Sequence, residues 1–454
     1  MHRKFLVVMA FLLITGFAHS QTSKLINLEK AIDIALERNL STLQAKNNVE
    51  SQMSSRQPAI GGLLPSLSAS GGFQRNQYWR PPTGSTQQYI PGIGIIDVPG
   101  SSGYSAASSY TSSISSNVTL FNGFANIANL NRADANIRSA EYSYNRVKES
   151  TIYQTHQLFL NVVRTYELLK VNEENLKRSR RQLERIEETN KVGSASLADV
   201  YRQRVTTGND ELALINAQNN YEKSKADLLL FLAIDDHIGY DFDISGVQTD
   251  IDTAEFDIVN KQYANFDELL KQATESRSDY LASIQNLNAS SSNLTVAQSG
   301  LYPTVYGNAS YGMNNKEFSK ISDNKSLTLG LGVSLSIFNG FQTQNAIEQA
   351  KISKKNSENQ LNQTGRQIAV DIQKARLDLE AVEKQVKVTQ ASVFSAEMDR
   401  KIAEEKYNLG AGTLLDLLIA NANYTNAQSN KVNAVIGYLL AKKQMEFVLG
   451  TISN

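Results

Sequence analysis

The sequence lacks most of the chemistry that catalytic and metal sites use. It has no cysteine, which excludes disulfides, thiol catalysis, cysteine-based metal sites and lipidation of an N-terminal cysteine. It has four histidines, and two of them, His2 and His19, lie in a segment that we expect to be removed. With only His156 and His237 left, a site of several histidines is not expected. No Gly-rich phosphate loop is visible, so we expect no enzyme and no cofactor or metal.

Excess charge and long apolar runs are also missing. The 45 Lys and Arg balance 45 Asp and Glu among 454 residues, so charge gives no reason to expect a nucleic acid partner. Arg3 and Lys4 precede an apolar run over 5–17, which is shorter than the ~18 residues of a membrane-spanning helix. We predict a secretory signal peptide over residues 1–20. A membrane anchor is the alternative for this segment, and no later segment is long enough to span.

Proline is scarce, with seven residues in all, and none lies between 100 and 302 or after Pro303. This absence permits very long helices. From Leu158 onward, apolar and small polar residues recur at alternating steps of four and three, and a similar ladder starts at Leu379, as in a coiled-coil seam. The predicted helices are long ones over 123–191 and 340–408 (about 100 Å each), return helices over 195–234 and 413–449, and shorter helices over 28–57 and 266–298.

An internal duplication organises the chain. The letters FNGF occur at 121–124 and 338–341, 217 positions apart, and the stretches at 193–199 and 410–416 match at the same offset. Gly62-Leu63-Leu64-Pro65 matches Gly300-Leu301-Tyr302-Pro303 at an offset of 238. We interpret the chain as two copies of a half-molecule. The predicted organisation is a first repeat over 21–234, a connector over 235–265 and a second repeat over 266–454.

The two offsets differ because the first copy carries an insertion. The stretch from 78 to 103 is rich in Pro, Gly and Ser and is predicted to be a loop. The connector is different again, because it holds seven aspartates with little helical period between 235 and 257. The residue order of an EF-hand is absent, so we favour a connector over a calcium site.

Between the Pro and the FNGF of each copy, the pattern changes to period two. From Leu327 to Ile337 every odd position is Leu, Val or Ile, and every even position is Thr, Gly or Ser. A run of eleven residues fits a transmembrane β-strand, and a half-buried strand of a soluble sandwich is the alternative. The four predicted strands cover about 66–76, 110–121, 304–313 and 326–337.

Four such strands cannot close a barrel alone. Open sheet edges are not tolerated in lipid, and known bacterial barrels need at least about eight strands. Two copies of the chain would supply eight strands and three copies twelve. The sequence therefore predicts an oligomer.

Taken in order, these features resemble the TolC-like outer-membrane efflux proteins over essentially the whole mature chain. The residues that carry the resemblance are Leu28, Ala31, Ala35 and Arg38-Asn39, the Gly-Leu-Leu-Pro stretch, both FNGF copies and the two Gly/Asp turns. The resemblance implies a mixed α+β membrane protein of a Gram-negative outer membrane. It implies a homotrimer whose 12-stranded barrel takes four strands from each chain and continues into a periplasmic tunnel of α-helical coiled coils.

The resemblance also assigns roles to the repeated motifs. FNGF matches the join between a barrel strand and a tunnel helix, with the phenylalanines near the membrane boundary; packed core aromatics are the alternative. The residues concerned are Phe121, Gly123, Phe124, Phe338, Gly340 and Phe341.

The two Gly/Asp turns match the periplasmic tip, which in relatives carries the aperture and meets the adaptor. The tip residues are Gly193, Ser196, Asp199, Gly410, Thr413 and Asp416. In one relative a second Asp follows three residues after the position of Asp416, where this chain has Ile419. A double ring of acids is therefore in doubt. A single ring of Asp416 and a helix-capping role for each Asp both stay open.

The expected function is a passive outer-membrane exit duct of a tripartite efflux or type I secretion-like system. The expected partners are two further copies of the chain, a periplasmic adaptor, an inner-membrane pump and outer-membrane lipid, with no nucleic acid. One alternative is a structural or adhesive helical rod of the cell surface, and another is a diffusion porin, which would have more strands and little helix. The substrate, whether drug, metal ion, peptide or protein, cannot be read from the sequence.

Overall fold

Four long helices make up most of the chain. In a computed structural model, residues 24–81, 84–99, 103–235 and 240–453 are described; the predicted signal peptide lies outside them. The two longest helices have 67 residues each, and both are free of proline, as a helix of this length requires. They are α3 (Ala125–Lys191) and α8 (Gln342–Asn408), followed by α4 (Leu197–Phe231) and α9 (Leu414–Leu449) respectively.

The shorter helices differ from the prediction, because each predicted segment is broken once. The structure has α1 (Leu28–Arg38) and α2 (Leu40–Gly61) in place of one helix over 28–57. It has α6 (Phe266–Ser276) and α7 (Ser278–Gln298) in place of one helix over 266–298. The prediction of unbroken helices was wrong at Asn39 and at Arg277, which are related by the same offset of 238.

Side-chain hydrogen bonds hold both breaks. Asn39 has extended backbone (ψ 131°), donates from its side chain to the Phe231 carbonyl at 3.2 Å and accepts from the Ser41 amide at 3.0 Å. Arg277 is also extended (ψ 119°) and only 4% exposed. It donates to both carboxylate oxygens of Asp279, at 3.0 and 2.6 Å. These side-chain hydrogen bonds replace backbone hydrogen bonds that are lost where the helix is interrupted, and so they offset the cost of the break.

The main sheet has four antiparallel strands. They are β2 (Ser66–Arg80), β5 (Gly103–Asn122), β7 (Thr304–Asn315) and β8 (Lys325–Ser334), in the order β2-β5-β7-β8. β8 ends three residues short of the predicted 337, because Ser334 pairs with Thr304, the first residue of β7. β2 and β5 are longer than predicted, since Arg80 still pairs with Gly103.

The insertion in the first copy is more ordered than a loop. Within it, β3 (Thr86–Ile90) and β4 (Gly94–Val98) form an antiparallel hairpin. Gly92 (φ 87°) and Gly94 (φ 97°) provide the left-handed residues of its turn. The prediction of a loop was wrong here, because Tyr89, Ile90, Ile95 and Ile96 favour strands and outweigh the flanking prolines.

The described residues divide into two compact units. The sheet unit comprises 44–146 and 277–367, and the helix-rich unit comprises the residues up to 43, 147–276 and those from 368 on. Each unit takes segments from both sequence repeats, so the repeats are not themselves the compact units. In the sheet unit the reason is direct, because β5 of the first repeat pairs with β7 of the second.

The connector contributes regular structure to the helix-rich unit. It contains β6 (Tyr240–Phe242), which pairs in parallel with β1 (Lys24–Ile26), and α5 (Thr253–Gln262). Phe256 of α5 packs edge-on against Tyr438 of α9, with ring centroids 5.0 Å apart.

Two of the connector aspartates act locally, and two others, Asp241 and Asp250, pair with Lys225 and Lys431 of long helices at 3.7 and 3.9 Å. Asp252 caps α5 by accepting from the Ala254 amide at 3.1 Å, and Asp243 accepts from Ser245 at 3.0 and 2.6 Å. No group of three or more acids or histidines that could hold a metal is found in the described part of the chain. A search of the same residues finds no helix with the length and apolar character needed to span a membrane.

Candidate functional site

Each FNGF copy ends in two consecutive residues with left-handed backbone. Gly123 and Phe124 have φ of 61° and 68°, and Gly340 and Phe341 both have φ of 67°. A glycine adopts this conformation without strain, whereas a residue with a side chain loses about 1–2 kcal/mol. The sequence pointed to the glycines, but it gave no indication that the phenylalanines also take left-handed backbone.

The side chains of the motif explain how this backbone is held. The rings of Phe121 and Phe124 meet edge to face, with centroids 5.4 Å apart, and Phe338 and Phe341 repeat that geometry at the same distance. Such pairs contribute about 0.5–1.5 kcal/mol beyond burial, which offsets much of the backbone strain.

The asparagine of each copy caps the helix that follows. The side chain of Asn122 accepts from the Asn126 amide at 3.2 Å, and that of Asn339 accepts from the Thr343 amide at 3.4 Å. FNGF is therefore one compact strand-to-helix connector, built twice.

The phenylalanines of the joins are not packed in a core. Phe124, Phe338 and Phe341 are exposed and Phe121 is half-buried, so the rings pack mainly on each other. A position near the membrane boundary stays a prediction.

The surroundings of the two glycines differ. A Cβ atom on Gly123 would lie 2.8 Å from the Ser299 carbonyl oxygen and 2.9 Å from the Tyr302 Cβ, whereas one on Gly340 would meet no atom within 4 Å. The first join is thus pressed against the segment that enters β7, and the second is open.

The two Gly/Asp turns also share one local design. Gly193 (φ 81°) and Gly410 (φ 72°) end α3 and α8 with left-handed backbone, the usual glycine termination of a helix. Ser196 and Thr413 then cap the next helices. Ser196 Oγ accepts from the Asp199 amide at 3.1 Å, and Thr413 Oγ1 accepts from the Asp416 amide at 3.2 Å.

Only the second turn has a complete capping box. Its Asp416 carboxylate accepts from the Thr413 amide at 3.2 Å and from the Thr413 hydroxyl at 2.7 Å. These hydrogen bonds from Thr413 hold the pKa of Asp416 below its usual value. In the first turn, Asp199 instead accepts from the Ser196 hydroxyl and pairs with Arg202 at 3.2 Å. Both acids therefore have a capping or local role, and a ring of Asp416 stays a prediction.

The structure brings the two turns together at one end of the helix-rich unit. Ile186, Val200 and Leu414, from three different helices, form a buried cluster on which Tyr407 packs. Burial and then the charge of Asp199 raise the pKa of Tyr407, which places that ring close to the first turn. The six predicted tip residues thus belong to one local assembly.

Four exposed apolar residues surround this assembly: Val192, Leu197, Leu409 and Leu415. They were not among the predicted tip residues. The signal was an apolar residue within two positions of each turn glycine or helix cap, where polar residues are usual.

The helix-rich unit also contains a cavity that no sequence pattern predicted, with Arg178, Arg181, Arg185 and Arg400 in its lining. The first three are spaced i, i+3 and i+7 and therefore share one face of α3. The fourth comes from α8, far along the chain, and no sequence pattern links it to the others.

A serine-rich antiparallel sheet, joined by repeated connectors to long helical hairpins, defines the class of outer-membrane channels with a helical extension. The sequence model described as "Outer membrane efflux protein" matches residues 31–233 and 269–451. The chain belongs to this family, as its motifs indicated. It is accordingly a protein of a Gram-negative outer membrane with a periplasmic helical part.

Curated relatives agree with this assignment. "Outer membrane protein TolC" of Vibrio cholerae is 21% identical over 334 residues, covering 72% of this chain and 73% of the relative. "Pyoverdine export outer membrane protein OpmQ" of Pseudomonas putida is 24% identical over 327 residues, covering 70% of this chain and 66% of the relative.

Solved structures show the same fold. The outer membrane protein VceC of Vibrio cholerae matches with a TM-score of 0.74 and 18% identity, covering 93% of this chain and 96% of that one. The CmeC outer membrane channel of Campylobacter jejuni matches with a TM-score of 0.76 and 19% identity, covering 93% and 85%. The mixed α and β fold expected from the resemblance is confirmed.

Proposed function

We propose that the protein is a passive outer-membrane exit duct of a tripartite export system. In this proposal three copies assemble, each gives four transmembrane strands to a 12-stranded barrel, and the helices form a periplasmic tunnel. A periplasmic adaptor and an inner-membrane pump deliver the substrate. Membership of the efflux family supports the role in export, and the energy for it comes from the pump.

The observation that carries the proposal is the contrast between the two faces of the main sheet. The register aligns Ser68, Ser115, Ser310 and Thr328 in one row across all four strands. Ser68 and Ser115 share a hydrogen bond at 2.8 Å, and Ser70 and Ser113 share another at 2.9 Å. This face is small, polar and uncharged, as the wall of a water-filled lumen would be.

The opposite face is apolar and exposed. The row beside the serines joins Leu67, Ser116, Ala309 and Leu329, and the next joins Ala69, Ile114, Tyr311 and Leu327. Along β8 the exposed fractions of the side chains rise to 81% at Leu331. An apolar face of this size needs a cover, and a bilayer provides one along the whole strand length.

The two edge strands of the main sheet support the assembly of several copies of the chain. β2 and β8 each have a strand neighbour on one side only. Within lipid the free backbone groups of such edges must be paired, so β8 of one copy pairs with β2 of the next. Two or three copies satisfy the minimum of about eight strands, and family membership favours three.

A pair of arginine substitutions tests the orientation of the sheet. Leu329→Arg lies on the apolar face and is expected to cost about 2–4 kcal/mol near the bilayer centre, so the level of folded protein in the outer membrane should fall. Ser310→Arg lies on the serine face, where water is proposed, and should leave that level nearly unchanged. Equal losses in both variants would contradict a lumen on the serine face.

The native mass of the detergent-extracted protein tests the assembly. A trimer is expected, and it closes twelve strands into one barrel. A stable monomer would show that the four strands do not form a membrane barrel and would overturn the duct.

We also propose that the assembled turns contact the adaptor and carry the aperture. The contact region comprises Gly193, Ser196, Asp199, Gly410, Thr413 and Asp416 together with the exposed apolar residues beside them. Those apolar residues support the proposal because exposed apolar groups at a loop favour protein contacts.

The adaptor contact is tested by substituting one of these apolar residues. Val192→Glu should abolish export while leaving the trimer intact, and Val388→Glu, an exposed valine of α8 away from the turn, serves as the matched control. Export is measured as resistance of a strain that has no related gene to a broad panel of toxic compounds. If Val192→Glu restores resistance as fully as the unmodified chain, the turns are not the adaptor contact.

A further inference from the structure

A cavity of about 350 Å³ lies between α3, α8 and α9 of the helix-rich unit. Its lining is strongly cationic, because four guanidinium groups face a single carboxylate, that of Glu404. The remaining lining residues are neutral. The charged and donor-bearing groups are Arg178, Arg181, Arg185, Arg400, Gln182 and Glu404.

These four arginines have few counter-charges. Arg400 pairs with Glu404 at 2.9 Å, but no ion pair is found for the other three in the described ranges. Arg178 donates only to neutral oxygens, Asn175 Oδ1 at 3.4 Å and Thr425 Oγ1 at 3.3 Å. Arg181 donates to a carbonyl of its own helix, and Arg185 donates to Asn408. The lining therefore keeps a net positive charge.

Donor groups beside the cavity also lack acceptors. The Nε atoms of Arg178 and Arg400 and the Nε2 atom of Gln182 are shielded from solvent and have no hydrogen-bond partner. A buried donor without an acceptor costs about 1–3 kcal/mol. Because these three atoms have almost no accessible surface, they lie behind the cavity wall, and they show that hydrogen-bond acceptors are scarce around the cavity.

The arginines are also held close to one another. The guanidinium groups of Arg178 and Arg400 each lie 5.3 Å from the ring centroid of Tyr424. Burial and then the positive charge of Arg400 lower the pKa of Arg178, and the nearby charge of Glu174 only partly opposes them. Like charges brought this close in a partly buried site repel each other, and a bound anion removes the repulsion.

We propose that this cavity binds a small inorganic oxyanion of the phosphate or sulfate type. The planar guanidinium fork matches two oxygens of such an anion. Bound there, the anion bridges α3, α8 and α9 close to the buried cluster of Ile186 and Leu414, and so fastens the helices from which both turns emerge. This proposal of an anion site does not rest on the proposed export function.

The test uses the full-length, detergent-extracted protein and titrates it with sulfate at constant ionic strength in a chloride buffer, followed by calorimetry. We expect saturable binding to the unmodified protein. Arg178→Gln and Arg400→Gln should each weaken it about tenfold or more, since each removes a charged donor. Arg180→Gln is the matched control, because Arg180 lies on the same helix but is exposed and pairs with Glu211 at 3.0 Å; it should bind sulfate normally.

If the arginine variants do not fold, the proposal can still be tested with a variant that is expected to bind sulfate more tightly. Glu404→Gln removes the carboxylate that the described residues contribute to the cavity lining, and it should strengthen sulfate binding several-fold. An unchanged or weaker affinity would overturn the proposal. An absence of saturable sulfate binding to the unmodified protein would also overturn the proposal. One such case is a carboxylate of a neighbouring subunit that already fills the cavity, in which case Arg400→Gln would weaken the oligomer.

Discussion

The two FNGF joins have the same four residues, the same left-handed backbone and the same pair of phenylalanine rings, yet they lie in different surroundings. Gly123 has backbone and side-chain atoms directly where a Cβ would be, and Gly340 has open space. The comparison separates two contributions to one motif. The four residues of the motif determine its local backbone geometry. The segments of the same chain that pack around the motif determine how much stability a substitution costs.

The two turns differ in the same way. Both place a hydroxyl residue at the start of a helix and an aspartate three residues later. In the second turn Thr413 and Asp416 bond each other through backbone and side chain, whereas in the first Asp199 shares its carboxylate with Arg202. A match in sequence therefore does not guarantee an equal contribution to stability.

The largest expected difference between the copies comes from alanine at the glycines of the joins. Gly340→Ala introduces only the strain of a left-handed residue, about 1–2 kcal/mol. Gly123→Ala adds a clash with Ser299 and Tyr302, and overpacking of this kind costs about 1–3 kcal/mol more. The thermal midpoint of the detergent-extracted protein should therefore fall further for Gly123→Ala. Equal midpoints in the two variants would show either that the 299–302 segment yields without cost or that a neighbouring copy in the proposed trimer fills the space beside Gly340.

A smaller difference is expected at the helix caps. Ser196→Ala and Thr413→Ala each remove an N-cap, which costs about 1 kcal/mol. Both hydroxyls also donate to the aspartate three residues later, but only the Asp416 carboxylate accepts in addition from the backbone amide of its cap residue. Thr413→Ala therefore loosens one more hydrogen bond, and it should lower the protection of the first amides of α9 more than Ser196→Ala lowers that of α4. Hydrogen exchange of the two helix starts measures both. Thr413→Ser, which keeps the hydroxyl, should exchange like the unmodified protein.

The smallest expected effect is a dependence of the second turn on pH. The folded pKa of Asp416 is depressed, so its contribution is present above the unfolded value near 3.9 and is lost as the pH falls through the folded pKa. Protection of the first amides of α9, corrected for intrinsic exchange, should decrease on acidification in this range. In Asp416→Asn this decrease should disappear, and its persistence would assign the acid response to another group.

Much of the fold could be predicted because its signals are local and repeated. The lack of proline after Pro303 allowed α8 and α9, and the strict alternation from Leu327 predicted β8. The constant offset between the copies located both joins and both turns. Each of these features depends on residues close together in the chain, so composition and spacing were sufficient.

The features that were missed depend on distant residues. The break at Asn39 needs the Phe231 carbonyl, and the end of β8 is set by the start of β7. Left-handed backbone at Phe124 is intrinsically unfavourable for a side-chain-bearing residue, so only the folded motif reveals it. The cationic cavity joins α3 to Arg400 across more than two hundred residues, a distance that periodicity does not describe.

The pairing of β5 with β7 makes each half of the chain dependent on the other. It is the link of the described main sheet between the two copies, and cutting it would leave two hairpins, each marginal in isolation. Half of the chain therefore has no self-sufficient sheet, although its local motifs are complete. Because the two copies lie in one polypeptide, the first can carry the β3–β4 hairpin without imposing it on the second.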